Sequence, residues 1–359
     1  MKTPLLRAIA GGSILAAAIA AASAAAPVTG TNPLRVSLYA TASGDVEVVL
    51  ANTGNRTARV PKYQLPLGEL EARLFQVSRD GEAVAYEGPM IKRGLPQASD
   101  FAILRPGQSL RSVVRLADAY DMRKGGTYTV TLASPLQHAS LSDGRMLRNQ
   151  RGLPLTLQSA PLRMYASGKL PNPARGKGKP GGGGNQVVNG VTYVGCTSTR
   201  ISQAGTAVNS ARAYSENAKG YLAGGTAGPR YTTWFGAYTS SRYGTASQHF
   251  VAIDGAMDQG GGQIKINCGC NQNYYAYVYP TKPYEIFVCK AFWSAPNTGT
   301  DSRAGTLIHE MSHFNVVAGT DDHVYGQTGA KNLAASNPAS ALDNADNHEY
   351  FAENTPAQN

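Results

Sequence analysis

Two histidines four residues apart enclose a glutamate in His309-Glu310-Met311-Ser312-His313. On a helix, positions i and i+4 share a face, so both imidazoles can ligate one metal ion. Glu310, one step round the helix, can reach a water on that metal without binding the ion. A catalytic zinc site takes three protein ligands and leaves a position to water, so a third ligand is required. Downstream runs Gly319-Thr320-Asp321-Asp322-His323-Val324-Tyr325-Gly326, and Asp322, nine residues past His313 and beyond a glycine turn, is the candidate. His323 beside it, and Glu349 and Glu353 further on, are rival donors. Five of the six histidines lie after residue 240 (His249, His309, His313, His323 and His348). The chemistry implied is hydrolysis by metal-activated water, with Glu310 carrying the proton. A longer three-histidine signature would need a glycine where Val316 stands and a histidine where Gly319 stands.

The elements that must position these groups lie in the back half. Asp301 or Ser302 is placed to cap the metal helix, which is expected to run to Val317 and stop at Gly319. Ser202 to Ala223 has helical periodicity, and 263–267 and 275–279 read as strands. The front half, from about 33 to 165, reads as all-β. Its segments 35–40, 46–50, 112–116 and 127–132 are β-rich and separated by Gly, Asn, Asp and Pro turns. That rhythm suggests an immunoglobulin-like sandwich. It carries no catalytic constellation, only His138 and scattered acids. Between the halves, Leu170 to Lys179 is basic and proline-rich, and four glycines follow Pro180. Such a segment cannot bury a core and is expected to be a flexible linker over 169–185.

Lys2 and Arg7, an apolar run from Ala8 to about Ala22, and Ala22-Ser23-Ala24 make a secretory signal over 1–26. The divisions expected are therefore a signal (1–26), a β-sandwich pro-region (27–168), the linker and a catalytic domain (186–359). No later segment is apolar enough to span a bilayer. All four cysteines, Cys196, Cys268, Cys270 and Cys289, fall in the back half, and in an exported chain an even set implies disulfides. Cys268 and Cys270 are too close to pair comfortably with each other, so each should pair outward. A second zinc site is disfavoured by the lack of paired CxxC units.

The formal net charge of +10 divides unevenly. From Ala26 to Gly184 there are 21 Lys and Arg against 11 Asp and Glu, and from Asn185 onward 10 against 12. A basic front half and a slightly acidic back half attract each other. The basic residues are scattered and lack an aromatic-basic motif, so nucleic acid is not an expected partner.

The HExxH element followed by Gly-Thr-x-Asp-x-x-Tyr-Gly resembles the pattern of the aspzincins, the deuterolysin family of zinc endopeptidases. The likeness to the peptidyl-Lys metalloendopeptidases runs from about Thr192 to Gln358. It includes Pro229-Arg230-Tyr231-Thr232-Thr233-Trp234-Phe235-Gly236, Tyr277-Val278-Tyr279-Pro280 and Asn344-Ala345-Asp346-Asn347-His348-Glu349-Tyr350-Phe351. The resemblance implies an α+β zincin-like catalytic domain with one zinc per chain on His309, His313 and Asp322. It implies Tyr325 as transition-state donor and disulfides Cys196–Cys268 and Cys270–Cys289. It further implies that Asp346 and Glu349, three apart on a short helix, hold a lysine on the carboxyl side of the cut bond. Plain deuterolysins share the metal site without that selectivity. A different class, an exported binding protein with a structural metal, is opposed by Glu310, since a structural site has no use for a general base.

The expected product is a secreted, monomeric enzyme acting on proteins and peptides and held silent by its own pro-region. Lysine-directed cleavage would find targets in the linker at Gly168–Lys169, Gly176–Lys177 and Gly178–Lys179. Lys92, in what Gly94 and Pro96 mark as an exposed loop, is the expected pseudo-substrate for the acidic pocket.

Overall fold

The computed structural model describes residues 32–150, 152–170 and 184–359. The expected signal and most of the linker, with Lys177 and Lys179, lie outside them.

The front half contains strands β1 (Leu34–Ala40), β2 (Val46–Asn52), β3 (Ala58–Pro61), β4 (Phe75–Arg79), β5 (Glu82–Ala83) and β6 (Met90–Lys92). These are followed by β7 (Phe101–Leu104), β8 (Ser109–Val114), β9 (Gly126–Pro135), β10 (Ser140–Leu141), β11 (Thr156–Gln158) and β12 (Leu162–Ala166). All except β6 fall into three antiparallel sheets ordered β1-β2-β8, β10-β3-β7 and β11-β9-β4-β5, with β12 also on β9. In β2 every second side chain is buried, as a strand with one face on the core requires.

The back half opens with β13 (Asn185–Val188), β14 (Val191–Val194) and the helices α1 (Ser198–Ala223), α2 (Pro229–Phe235) and α3 (Ser240–Met257). It continues through β15 (Lys265–Asn267), β16 (Ala276–Val278), β17 (Glu285–Val288), α4 (Lys290–Ser294) and α5 (Arg303–His313). It closes with α6 (Gly326–Ser336), α7 (Pro338–Leu342) and α8 (Ala345–Glu353). Helix α1 buries Ile201, Ala204, Val208, Ala211, Ser215, Ala218 and Leu222, alternating steps of three and four. Its small residues let α3 and α5 pack closely against it. Among the described residues no helix is long and apolar enough to cross a membrane.

The sheet of the back half runs β13-β14-β15-β17-β16-β6. Its last strand comes from the front half: β6 pairs antiparallel with β16, opposing Lys92 to Ala276, Ile91 to Tyr277 and Met90 to Val278. Lys92 therefore does not sit in an exposed loop. It is 1% exposed, because backbone pairing draws the segment between Pro89 and Gly94 into the sheet. The Lys169 amide donates to Met122 O at 2.7 Å and its ammonium lies 2.7 Å from Asp45, so Gly168–Lys169 is tied to the β region.

Candidate active site

Helix α5 carries the HExxH residues, and every side chain from Ala304 to His313 is buried. Ser302 caps it by accepting from Gly305 N at 2.9 Å. The Glu353 carboxylate accepts from Ser302 N at 2.9 Å and Ser302 Oγ at 2.8 Å, and a side chain at Gly305 would collide with it. The helix ends at His313 rather than Val317. Phe314 turns extended, and the Gly319 and Thr320 amides bond back to Phe314 O and Ser312 O at 3.1 Å each. That reversal carries Asp322 back over the two histidines.

His309 Nε2 and His313 Nε2 are 3.2 Å apart, and Asp322 Oδ1 lies 3.3 Å from the first and 3.5 Å from the second. His313 Nδ1 donates to Thr320 O at 2.8 Å, and His309 Nδ1 faces Asp346 Oδ1 at 2.8 Å. With a proton on each Nδ1, both Nε2 atoms turn lone pairs inward, where Asp322 Oδ1 has no hydrogen-bond donor. Three acceptors thus converge on one point. Their separations match the roughly 3.3–3.4 Å edge of a tetrahedron with metal bonds of about 2.0–2.1 Å, so these residues fit zinc. The carboxylate also draws positive charge to this point. Burial alone would push both imidazoles down, but the Asp322 carboxylate outweighs it and holds them above their usual range. Burial would raise Asp322, yet the two imidazoles hold it far below the carboxylate range.

Glu310 is fully buried, neither carboxylate oxygen has a hydrogen-bond partner, and burial pushes its pKa up to about 7. Tyr325 is held by Gln137, whose Oε1 accepts from Tyr325 N at 2.8 Å. The Tyr325 hydroxyl donates to Ile91 O at 3.0 Å. A cavity of about 860 Å³ reaches Asp322 and Tyr325 from solvent.

Asp346 and Glu349 project from α8 to the same spot. The Lys92 ammonium lies 2.5 Å from Glu349 Oε2 and 3.4 Å from both Asp346 Oδ1 and Asp301 Oδ1. Tyr275 and Tyr350 present ring faces to it at 5.3 and 5.8 Å. Burial would lower Lys92, but Asp346, Glu349 and Asp301 outweigh it and hold the ammonium charged. Burial would raise Asp346, and Lys92 outweighs that to draw it down.

The structure does not bring the rival donors to the triad. Glu353 is committed to Ser302, His323 pairs with Asp343 at 2.8 Å, and Glu349 faces His309 Nδ1 rather than Nε2. Two contributions were not read from sequence. Asp301, considered only as a cap, adds a third carboxylate to the lysine pocket. Its backbone is left-handed (φ 52°), and Tyr350 Oη donates to its carboxylate at 2.7 Å. Asp346 touches both the lysine and the His309 ring, coupling pocket to metal ligand. Disulfides join Cys196 to Cys268 and Cys270 to Cys289, and no cysteine is free.

A buried two-histidine, one-aspartate triad with an adjacent unpaired glutamate is the equipment of a zinc hydrolase. Comparison with known proteins narrows that class. A family profile described as lysine-specific metallo-endopeptidase, the aspzincins, matches residues 221–353. An extracellular protease of Aeromonas hydrophila is 42% identical over 334 residues, 90% of this chain and 92% of its own. A peptidyl-Lys metalloendopeptidase of Pleurotus ostreatus is 51% identical over 168 residues, 46% of this chain and 98% of its own. A solved zinc peptidase from Grifola frondosa covers 46% of this chain and 100% of its own at 46% identity, with a TM-score of 0.44. The chain belongs to the aspzincin family and is a zinc metalloendopeptidase.

Proposed function

We propose that this enzyme is secreted as a latent precursor and hydrolyses peptide bonds on the amino side of lysine. In this reading 1–26 is a signal, 27–168 an immunoglobulin-like pro-domain, 169–185 the linker to be cut, and 186–359 the mature enzyme. The observation that carries it is the seat of Lys92: its ammonium lies between Glu349 and Asp346, while the carbonyl of the preceding residue meets Tyr325. Antiparallel strands on a common core support the pro-domain assignment, and the extracellular relative supports export.

His309, His313 and Asp322 would hold one zinc ion, which would supply an acidified water and a Lewis acid for the scissile carbonyl. Glu310, buried and without competing partners, takes the water's proton and delivers it to the leaving amine. Tyr325 donates its hydroxyl to the carbonyl oxygen as charge develops there; loss of such a donor typically costs on the order of a hundredfold in turnover. Asp346 keeps the His309 ring oriented while sharing the substrate lysine with Glu349 and Asp301. Arginine fits poorly, because a planar guanidinium cannot place one compact charge among three carboxylates.

A deuterolysin-like enzyme of broader specificity is the alternative that peptide mapping separates. Fragments made by the processed enzyme should begin with lysine. Glu349→Gln should weaken that preference while zinc content stays unchanged. Fragment termini without lysine enrichment would refute the specificity.

A further inference from the structure

We propose that the Ile91–Lys92 bond is the enzyme's first substrate, hydrolysed within the molecule that carries it, and that the cut strand then stays seated. This rests on the reading of the site as a lysine-directed peptidase.

Chain polarity carries the inference. An inhibitory strand can fill a cleft in either direction, but only one direction puts the right carbonyl at the catalytic groups. For cleavage before Lys92 the reacting carbonyl is that of Ile91. That oxygen takes the Tyr325 hydroxyl at 3.0 Å. The Lys92 carbonyl accepts instead from Tyr275 N at 3.0 Å, at the end of the ladder with β16. The side chain that specifies the cut, the carbonyl to be attacked and the strand register thus agree over two consecutive residues. Strand β6 also packs against α5, which bears Glu310, and a cavity is lined by Asp322 and Tyr325.

In the step, a water oxygen bonds to the Ile91 carbonyl carbon and the bond from that carbon to Lys92 N breaks. The water's protons end on the departing nitrogen and in solution. The products are an Ile91 carboxylate and a Lys92 amine.

Both new ends are anchored outside the cleft. Upstream, Pro89 O accepts from Tyr86 Oη at 3.0 Å. Downstream, Arg93 lies 2.9 Å from Glu71 and stacks on Tyr63 and Tyr274 at 4.5 and 4.4 Å. Cleavage therefore severs the chain without emptying the pocket, and release waits for the linker.

The test uses the full chain with Lys169, Lys177 and Lys179 each changed to Gln, loaded with one equivalent of zinc. Mass spectrometry under denaturing conditions should give two fragments dividing between Ile91 and Lys92, with Lys92 as a new N-terminus. The rate should be unchanged on hundredfold dilution, and native mass should be that of the whole chain plus one water. Glu310→Gln in the same background should stay intact. An intact bond in a chain whose processed form cuts peptides before lysine overturns the proposal and leaves the specificity standing. Cleavage that slows with dilution, or fragments that separate natively, also overturns it. A processed enzyme with no preference for lysine sinks the specificity itself.

Discussion

Replacing Lys92 by Met in the precursor should release activity without any processing. The ammonium is 1% exposed and meets three carboxylates between 2.5 and 3.4 Å away. Methionine keeps most of the apolar stem, so strand pairing with β16 and the Arg93–Glu71 ion pair survive. What changes is that Asp346 and Glu349 stay buried against each other with no cation between them. Breaking a buried pair in this way costs about 3–5 kcal/mol. At about 1.4 kcal/mol per tenfold, the balance between covered and uncovered site moves by roughly a hundred- to a few thousand-fold. Burial raises the Glu349 pKa, so that acid escapes part of the penalty by taking a proton, which favours the lower end. The assay is hydrolysis of a quenched fluorescent peptide with one lysine, by precursor whose linker lysines are Gln. Lys92→Met should exceed its parent by at least a hundredfold, with Lys92→Arg in between. A folded Lys92→Met precursor as silent as its parent would refute the role given to this ion cluster.

Two further outcomes follow from the site. Asp322→Asn removes the only charged donor of the triad, so the purified variant should lose zinc on dialysis, measured by elemental mass spectrometry; retained stoichiometric metal would take Asp322 out of the ligand set. Acid stability should depend on His348, whose Nδ1 donates to Asn344 O at 3.0 Å, leaving Nε2 to accept from His249 at 2.9 Å. Burial, with His249 adding, pushes His348 from 6.5 down to about 3, so the folded chain keeps it neutral while the unfolded chain protonates it. Its contribution is whole above the unfolded value and is lost as pH falls toward the folded one, by up to roughly 1.4 kcal/mol per pH unit. In a Glu310→Gln background, His348→Gln should flatten the fall in urea midpoint across that window; an unchanged slope would refute it.

The candidate ligands were legible because helix periodicity and a glycine reversal act over short spans. His309 and His313 needed only the i, i+4 rule, and Gly319 announced the turn that returns Asp322. The end of α5 was misplaced by four residues. The bonds from Gly319 and Thr320 back to Phe314 and Ser312 have no counterpart in the apolar pattern that suggested Val317. Charge marked Lys92, yet its glycine and proline flanks pointed to solvent. Its burial depends on β16, nearly two hundred residues away, and strand pairing between distant segments leaves no periodic trace in either. Asp301 escaped for the same reason, because its carboxylate gains meaning only once Lys92 and Tyr350 converge on it.

On the proposed release of the β region, the place beside β16 would become a sheet edge that accepts partners as a new strand. Such an edge reads main-chain amides and carbonyls, and a lysine inside a helix has already spent both on its own neighbours. The mature enzyme should therefore sense foldedness as well as side-chain identity. A native helical protein rich in lysine should be nicked only at its loops, while the same protein in mild denaturant should dissolve into short peptides. Digestion rates across folded targets should then follow the free energy of local opening rather than the number of lysines.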